Sequence, residues 1–127
     1  MRLNQVTIAS RDVQRAIDFY KSLGLKLIVR DLPTYARFAC PDGDSTFSVE
    51  LDPDNAGRAG TVIFFECDDL DARYSALKAA GVQFDSEPQD QSWLWREAKL
   101  RDPDGNQLCL FRAGRNRLFP PWRLESE

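Results

Sequence analysis

Two stretches decide how the chain is read: Val6-Thr7-Ile8-Ala9-Ser10 with Asp12 after it, and Thr61-Val62-Ile63-Phe64-Phe65-Glu66-Cys67 with Asp69 after it. Each is an apolar run that stops at an aspartate, the pattern of a strand running into a helix N-cap. After Asp12, the residues Val13, Ala16, Ile17 and Tyr20 recur at i, i+3, i+4 and i+7, one face of a helix. Gly24 follows Leu23, where a helix C-terminus favours positive φ. After Asp69, the residues Leu70, Tyr74 and Leu77 form a similar stripe, and Gly81 closes it. Both Asp-to-Gly intervals span twelve positions, so the chain carries a weak repeat of itself.

Outward from each helix lie β-like segments. They are Lys26–Asp31, Thr34–Cys40 and Thr46–Asp52 in the first copy, and Val82–Asp85, Trp93–Arg101 and Gln107–Arg112 in the second. Turn signals separate them, and Pro-Asp-Gly recurs before the last strand of both copies, at Pro41-Asp42-Gly43 and Pro103-Asp104-Gly105. The predicted unit is strand, helix and three strands, written twice, over residues 1–52 and 61–112. Residues 53–60 link the copies in one domain, and residues 113–127 form a C-terminal extension. Alternation puts Val6 and Ile8 on one sheet face, with Gln5 and Thr7 on the other. In the second copy Ile63 and Phe65 oppose Val62, Phe64 and Glu66. The former sets should pack on the helices and the latter should face a cleft or second sheet.

Composition narrows the chemistry. The 127 residues include 17 Lys+Arg, 20 Asp+Glu and no histidine, for a net charge of −3; 43% are apolar. That suits one folded domain. Mild acidity argues against nucleic acid or an anionic membrane as partner. No apolar run reaches the ~20 residues of a membrane helix, and no secretory h-region opens the chain, so a cytoplasmic location is expected. Without histidine there is no Ser-His-Asp or Cys-His nucleophile and no His-ligated zinc or iron. Cys40, Cys67 and Cys109 are odd in number and form no CxxC pair, which reads as reduced and structural.

At this point the sequence resembles the vicinal-oxygen-chelate superfamily, which includes glyoxalase I, extradiol dioxygenases and the fosfomycin- and bleomycin-resistance proteins. The resemblance rests on Val6-Thr7-Ile8 with Asp12, Ala16-Ile17-Asp18-Phe19-Tyr20, Leu23-Gly24-Leu25, Phe65-Glu66-Cys67-Asp68-Asp69-Leu70-Asp71-Ala72 and Asp102-Pro103-Asp104-Gly105-Asn106. It covers about residues 1–112. It implies an α+β fold of two βαβββ modules forming an open, barrel-like cleft, and a homodimer. Metal-dependent members place four ligands in that cleft. Those positions map to Gln5, Glu50, Val62 and Cys109. Gln5 and Glu50 offer an amide oxygen and a carboxylate, Val62 offers nothing, and Cys109 would have to be a thiolate. One carboxylate and one amide hold a hard cation poorly, and zinc would lack its third and fourth donors. No metal and no other cofactor is therefore expected.

Other residues carry two readings each. Gln5 and Thr7 either bind a ligand or sit on the wet face of a strand. Glu50, flanked by Val49 and Leu51, is the candidate base if its face points inward. Trp93 and Trp95, two apart on a predicted strand, form with Phe64 either a stacking wall for an aromatic ligand or a core or interface patch. Asp69 is expected to be a helix N-cap, and Asp102 and Asp104 turn residues. The tail around Arg112–Arg123 is basic and aromatic, suited to capping a cleft, covering a partner subunit or simply lying on the surface.

The leading functional expectation is a metal-independent protein holding an aromatic or mixed-polarity small molecule in a cleft lined by Gln5, Thr7, Val62, Phe64, Trp93, Trp95 and Cys109. The alternatives are a lyase, isomerase or dioxygenase-like enzyme using Glu50, with or without a divalent metal, and an interaction protein whose cleft is filled.

Overall fold

The computed structural model describes residues 1–125; the end of the extension, Ser126 and Glu127, lies outside them. The chain forms two compact units. The first contains residues 1–61 together with the turn 102–106, and the second contains residues 62–101 and 107 onward.

The first unit follows the order β1 (Gln5–Ser10), α1 (Val13–Ser22), β2 (Lys26–Asp31), β3 (Tyr35–Ala39) and β4 (Thr46–Leu51). Its sheet order is β1-β4-β3-β2, with β1 parallel to β4 and the other pairs antiparallel. The parallel pair is possible because α1 carries the chain across the sheet between them. Helix α1 starts where Asp12 accepts a 3.1 Å bond from the Arg15 amide, satisfying an otherwise orphaned donor. Its expected stripe of Val13, Ala16, Ile17 and Tyr20 is buried. The Tyr20 ring lies 4.7 Å from Phe47 and 5.9 Å from Phe38. In register, Val6 opposes Phe47 and Ile8 opposes Val49, so the apolar alternants share the helix-facing side.

The second unit repeats the order: β5 (Val62–Glu66), α2 (Leu70–Ala79), β6 (Gln89–Asp90), β7 (Arg96–Arg101) and β8 (Gln107–Arg112), then the short α3 (Arg115–Leu118). Its sheet order is β5-β8-β7-β6, with β5 parallel to β8. The α+β class and the doubled strand-helix-three-strand order therefore hold. Leu70 and Leu77 are buried on α2. No helix among the described residues is long and apolar enough to cross a membrane.

Two local expectations are corrected. Val82–Asp85 is not a strand: Phe84 makes one isolated bridge to Leu100, and the fourth strand is the two-residue β6. The amides of both Asp85 and Ser86 turn onto the Lys99 carbonyl, so ladder pairing stops there. The Trp93–Arg101 segment becomes extended only at Arg96. Gln91 to Trp95 is a turn closed by Leu94 N–H to Gln91 O and Gln91 N–H to Trp95 O, with Leu94 at φ 68. Trp93 and Trp95 thus do not share a strand face. Asp69 is the N-cap of α2 as expected, though without a side-chain cap bond; its carboxylate pairs with Arg73 at 3.6 Å.

Candidate functional site

Each sheet has a face turned away from its helix, and Gln5, Thr7, Glu50, Val62, Phe64 and Cys109 lie on these faces. In the first unit that face carries Gln5 and Thr7 from β1, Thr46, Ser48 and Glu50 from β4, and Tyr35 and Arg37 from β3. A hydrogen-bonded chain runs across it. Arg37 Nε donates to the Tyr35 hydroxyl at 2.9 Å, Tyr35 and Ser48 share a bond at 2.7 Å, and Gln5 Nε2 donates to Ser48 Oγ at 2.9 Å. Gln5 Nε2 also lies 3.1 Å from Thr7 Oγ1, and Gln5 Oε1 accepts from the Thr46 hydroxyl. Ser48 is fully buried and Tyr35 half-buried, whereas Arg37 and Glu50 are exposed. Among the described residues no hydrogen bond or ion pair engages the Glu50 carboxylate. Glu50 lies on the same face as Gln5, Thr7 and Ser48, and it and its neighbour Leu51 are exposed at the end of β4.

The corresponding face of the second unit is aromatic. Val62 and Phe64 are 41% and 45% exposed. Trp95 stacks on Phe111 at 4.8 Å, and Phe64 meets both rings edge-on at 5.9 and 5.5 Å. Beneath them Cys109 is buried with Phe111 and Ala113. Burial, then the nearby Glu97 carboxylate, pushes the Cys109 thiol up to about 12, so it is protonated at neutral pH. Glu97 is 4% exposed, and its Oε2 accepts a 2.9 Å bond from Trp93 Nε1. Trp93, 44% exposed, thus roofs a buried carboxylate rather than extending the Trp95 stack. At the end of β5, Glu66 accepts from the Ala113 and Gly114 amides at 2.7 and 2.9 Å and pins the start of the tail.

The mapped positions do not suit a metal. The Gln5 amide is committed at both ends and Val62 has no donor atom. Among the described residues no three His, Cys, Asp or Glu side chains converge as a cation site.

Tyr35, Arg37, Ser48 and Glu97 were missed in the sequence. The first three share the alternation parity of Glu50 across paired strands, which was a usable signal. Nothing local marks Glu97 as buried, since that depends on the Trp93 indole folding back over it.

The family model described as the Glyoxalase/Bleomycin resistance protein/Dioxygenase superfamily matches residues 2–110. A search of the curated proteins finds no match. Among solved structures, a superfamily member from Sphaerobacter thermophilus is 25% identical, with 88% of this chain and 97% of that one covered and a TM-score of 0.73. A bleomycin-binding protein complexed with bleomycin is 26% identical over 88% of this chain and 98% of its own, with a TM-score of 0.72. A lactoylglutathione lyase from Agrobacterium tumefaciens, 18% identical over 87% and 92% with a TM-score of 0.72, shares the fold. The doubled βαβββ order and the match across nearly the whole repeat establish that the chain belongs to the Glyoxalase/Bleomycin resistance protein/Dioxygenase superfamily.

Proposed function

We propose that the protein is a metal-independent small-molecule-binding member of its superfamily, taking an aromatic or mixed-polarity ligand. The observation that carries this reading is the Phe64–Trp95–Phe111 cluster, presented on a sheet face with Phe64 nearly half exposed. Rings held edge-on and stacked form a ready surface for another planar group, and their mutual packing keeps them oriented before the ligand arrives. The solved relative that binds bleomycin supports a binding role, and the poor donor set at Gln5, Glu50, Val62 and Cys109 supports independence from metal. Glu50, exposed and uncommitted, supports a second reading in which it serves as a base. The exposed Leu118, Phe119 and Trp122 of the tail support a homodimer, since clustered exposed apolar groups mark interaction surfaces. A cytoplasmic location belongs to the same reading.

The test is titration with benzyl alcohol and indole, followed by tryptophan fluorescence. Saturable quenching that Trp95→Ala weakens about tenfold or more is expected. Stoichiometric metal in the purified protein that disappears with Gln5→Ala or Glu50→Gln overturns the metal-independent reading. Turnover lost in Glu50→Gln with binding intact establishes the second reading.

A further inference from the structure

We propose that the first unit's sheet face, turned away from α1, is an oxyanion subsite in which Arg37 takes a carboxylate or phosphate-type group. The inference rests on the small-molecule reading above and adds an anionic group to the ligand chemistry that the first unit would take.

Hydrogen-bond counting on this face leaves donors in excess. Arg37 spends its Nε hydrogen on the Tyr35 hydroxyl. Its two terminal nitrogens have no hydrogen-bond or carboxylate partner among the described residues. Tyr35 and Ser48 share one bond, and Ser48 Oγ also accepts from Gln5. Whichever hydroxyl donates in the shared bond, one O–H hydrogen is left without an acceptor in the cluster. A guanidinium has five N–H donors in a rigid planar fork and no acceptor, so the exposed terminal N–H groups of Arg37 suit an acceptor-rich group.

The fork is also pre-oriented. Its Nε is tethered to the phenol and its carbon sits 5.5 Å from the Tyr35 ring centroid. An exposed arginine normally loses rotamer entropy on binding; one held at Nε loses less per bond formed. The free edge then suits two parallel N–H···O bonds to a carboxylate or phosphate. Glu50 is the opposing charge: it opposes Tyr35 across the strand pair and lies two residues beyond Ser48 on the same face. It forms no ion pair with Arg37, so it weakens an incoming anion by repulsion without occupying the fork.

The experiment is an amide NMR titration of the full chain with benzoate, phenylphosphonate, benzyl alcohol and benzamidine. Both anions should shift the resonances of residues 35–37 and 46–50. Benzyl alcohol should shift Phe64, Trp95 and Phe111, and benzamidine should leave residues 35–37 unmoved. Arg37→Gln should weaken both anions about tenfold or more while leaving benzyl alcohol unchanged. Arg37→Lys, which keeps the charge but not the fork, should fall between, and Glu50→Gln should tighten both anions. Tighter benzoate assigns a carboxylate ligand, and tighter phenylphosphonate a phosphate one. Anion binding that survives Arg37→Gln, or benzyl alcohol binding with no anion effect at residues 35–37, overturns the subsite. Failure of all four probes to bind overturns the small-molecule reading itself.

Discussion

Asp104 accepts a 2.6 Å hydrogen bond from the Ser10 hydroxyl, ninety-four residues earlier in the chain, and both side chains are buried. The same carboxylate accepts from the Arg11 amide at 2.8 Å and pairs with Arg15 at 3.3 Å. Its neighbour Asp102 accepts from the buried Tyr20 hydroxyl at 2.7 Å, and Asn106 bonds the Ala9 carbonyl and the Gly57 amide. The turn before the last strand of the second copy is thus a structural part of the first unit. Asp104→Ala should leave the Ser10 hydroxyl and Arg11 amide unsatisfied and cost about 2–4 kcal/mol, read by urea denaturation. A loss under about 0.5 kcal/mol would contradict this role.

Gly57 is the backbone side of the same junction. It sits at φ +75, and a Cβ there would lie 2.2 Å from the Asp104 carbonyl oxygen. Gly57→Ala should destabilise by at least about 2 kcal/mol, because the contact is with backbone and the dihedral is unfavourable besides. Gly43→Ala is the comparison: its φ is also positive, but nothing lies within 4 Å, so its cost should be smaller. Paired melting curves of the two variants check the difference.

Trp93 should matter to stability through one bond. Trp93→Phe removes the Nε1 donor from buried Glu97 and should cost about 1–3 kcal/mol, since a buried acceptor loses one of its partners. Made in a Glu97→Leu background, the same change should cost much less. A double-mutant cycle measures the coupling.

Alkaline pH should weaken the fold. Burial, then Asp102, raises the Tyr20 phenol far above its ordinary 10.0, and burial, then Glu97, raises the Cys109 thiol from 9.0 to about 12. Both are acids whose folded pKa exceeds the unfolded one. The Cys109 contribution is fully present below pH 9 and is lost as pH rises from 9 toward 12, and the Tyr20 contribution begins to fall only above pH 10. Urea midpoints between pH 7 and 11 should fall above pH 9, and more gently in Cys109→Ala. Folded protein should also leave Cys109 unalkylated by iodoacetamide at pH 8, while denatured protein is fully modified.

Legibility in the sequence followed the range of the interaction concerned. The Val13-Ala16-Ile17-Tyr20 stripe, the two aspartate-to-glycine intervals and the Val6/Ile8 against Gln5/Thr7 alternation are local, and the structure places them as expected. The site was only partly readable. Gln5, Thr7, Glu50, Val62, Phe64 and Cys109 do fall on faces turned from the helices, but Trp93 lies in the turn before β7 and not on a strand. Arg37, Ser48 and Glu97 were missed because their importance lies in cross-strand partners and in what covers them.

By itself, the sequence determined the doubled strand-helix-three-strand order, because periodicity and turn chemistry act over a few residues and need no distant partner. It also removed histidine chemistry outright, since a missing side chain is missing in any fold. Only the tertiary structure decided that Asp102–Asn106 completes the first unit, that the Gln5 amide is consumed by Ser48 and Thr46, and that Trp93 closes over Glu97. Those outcomes depend on which donors meet which acceptors across the sheets and turns, and on which polar groups burial then forces to find a partner.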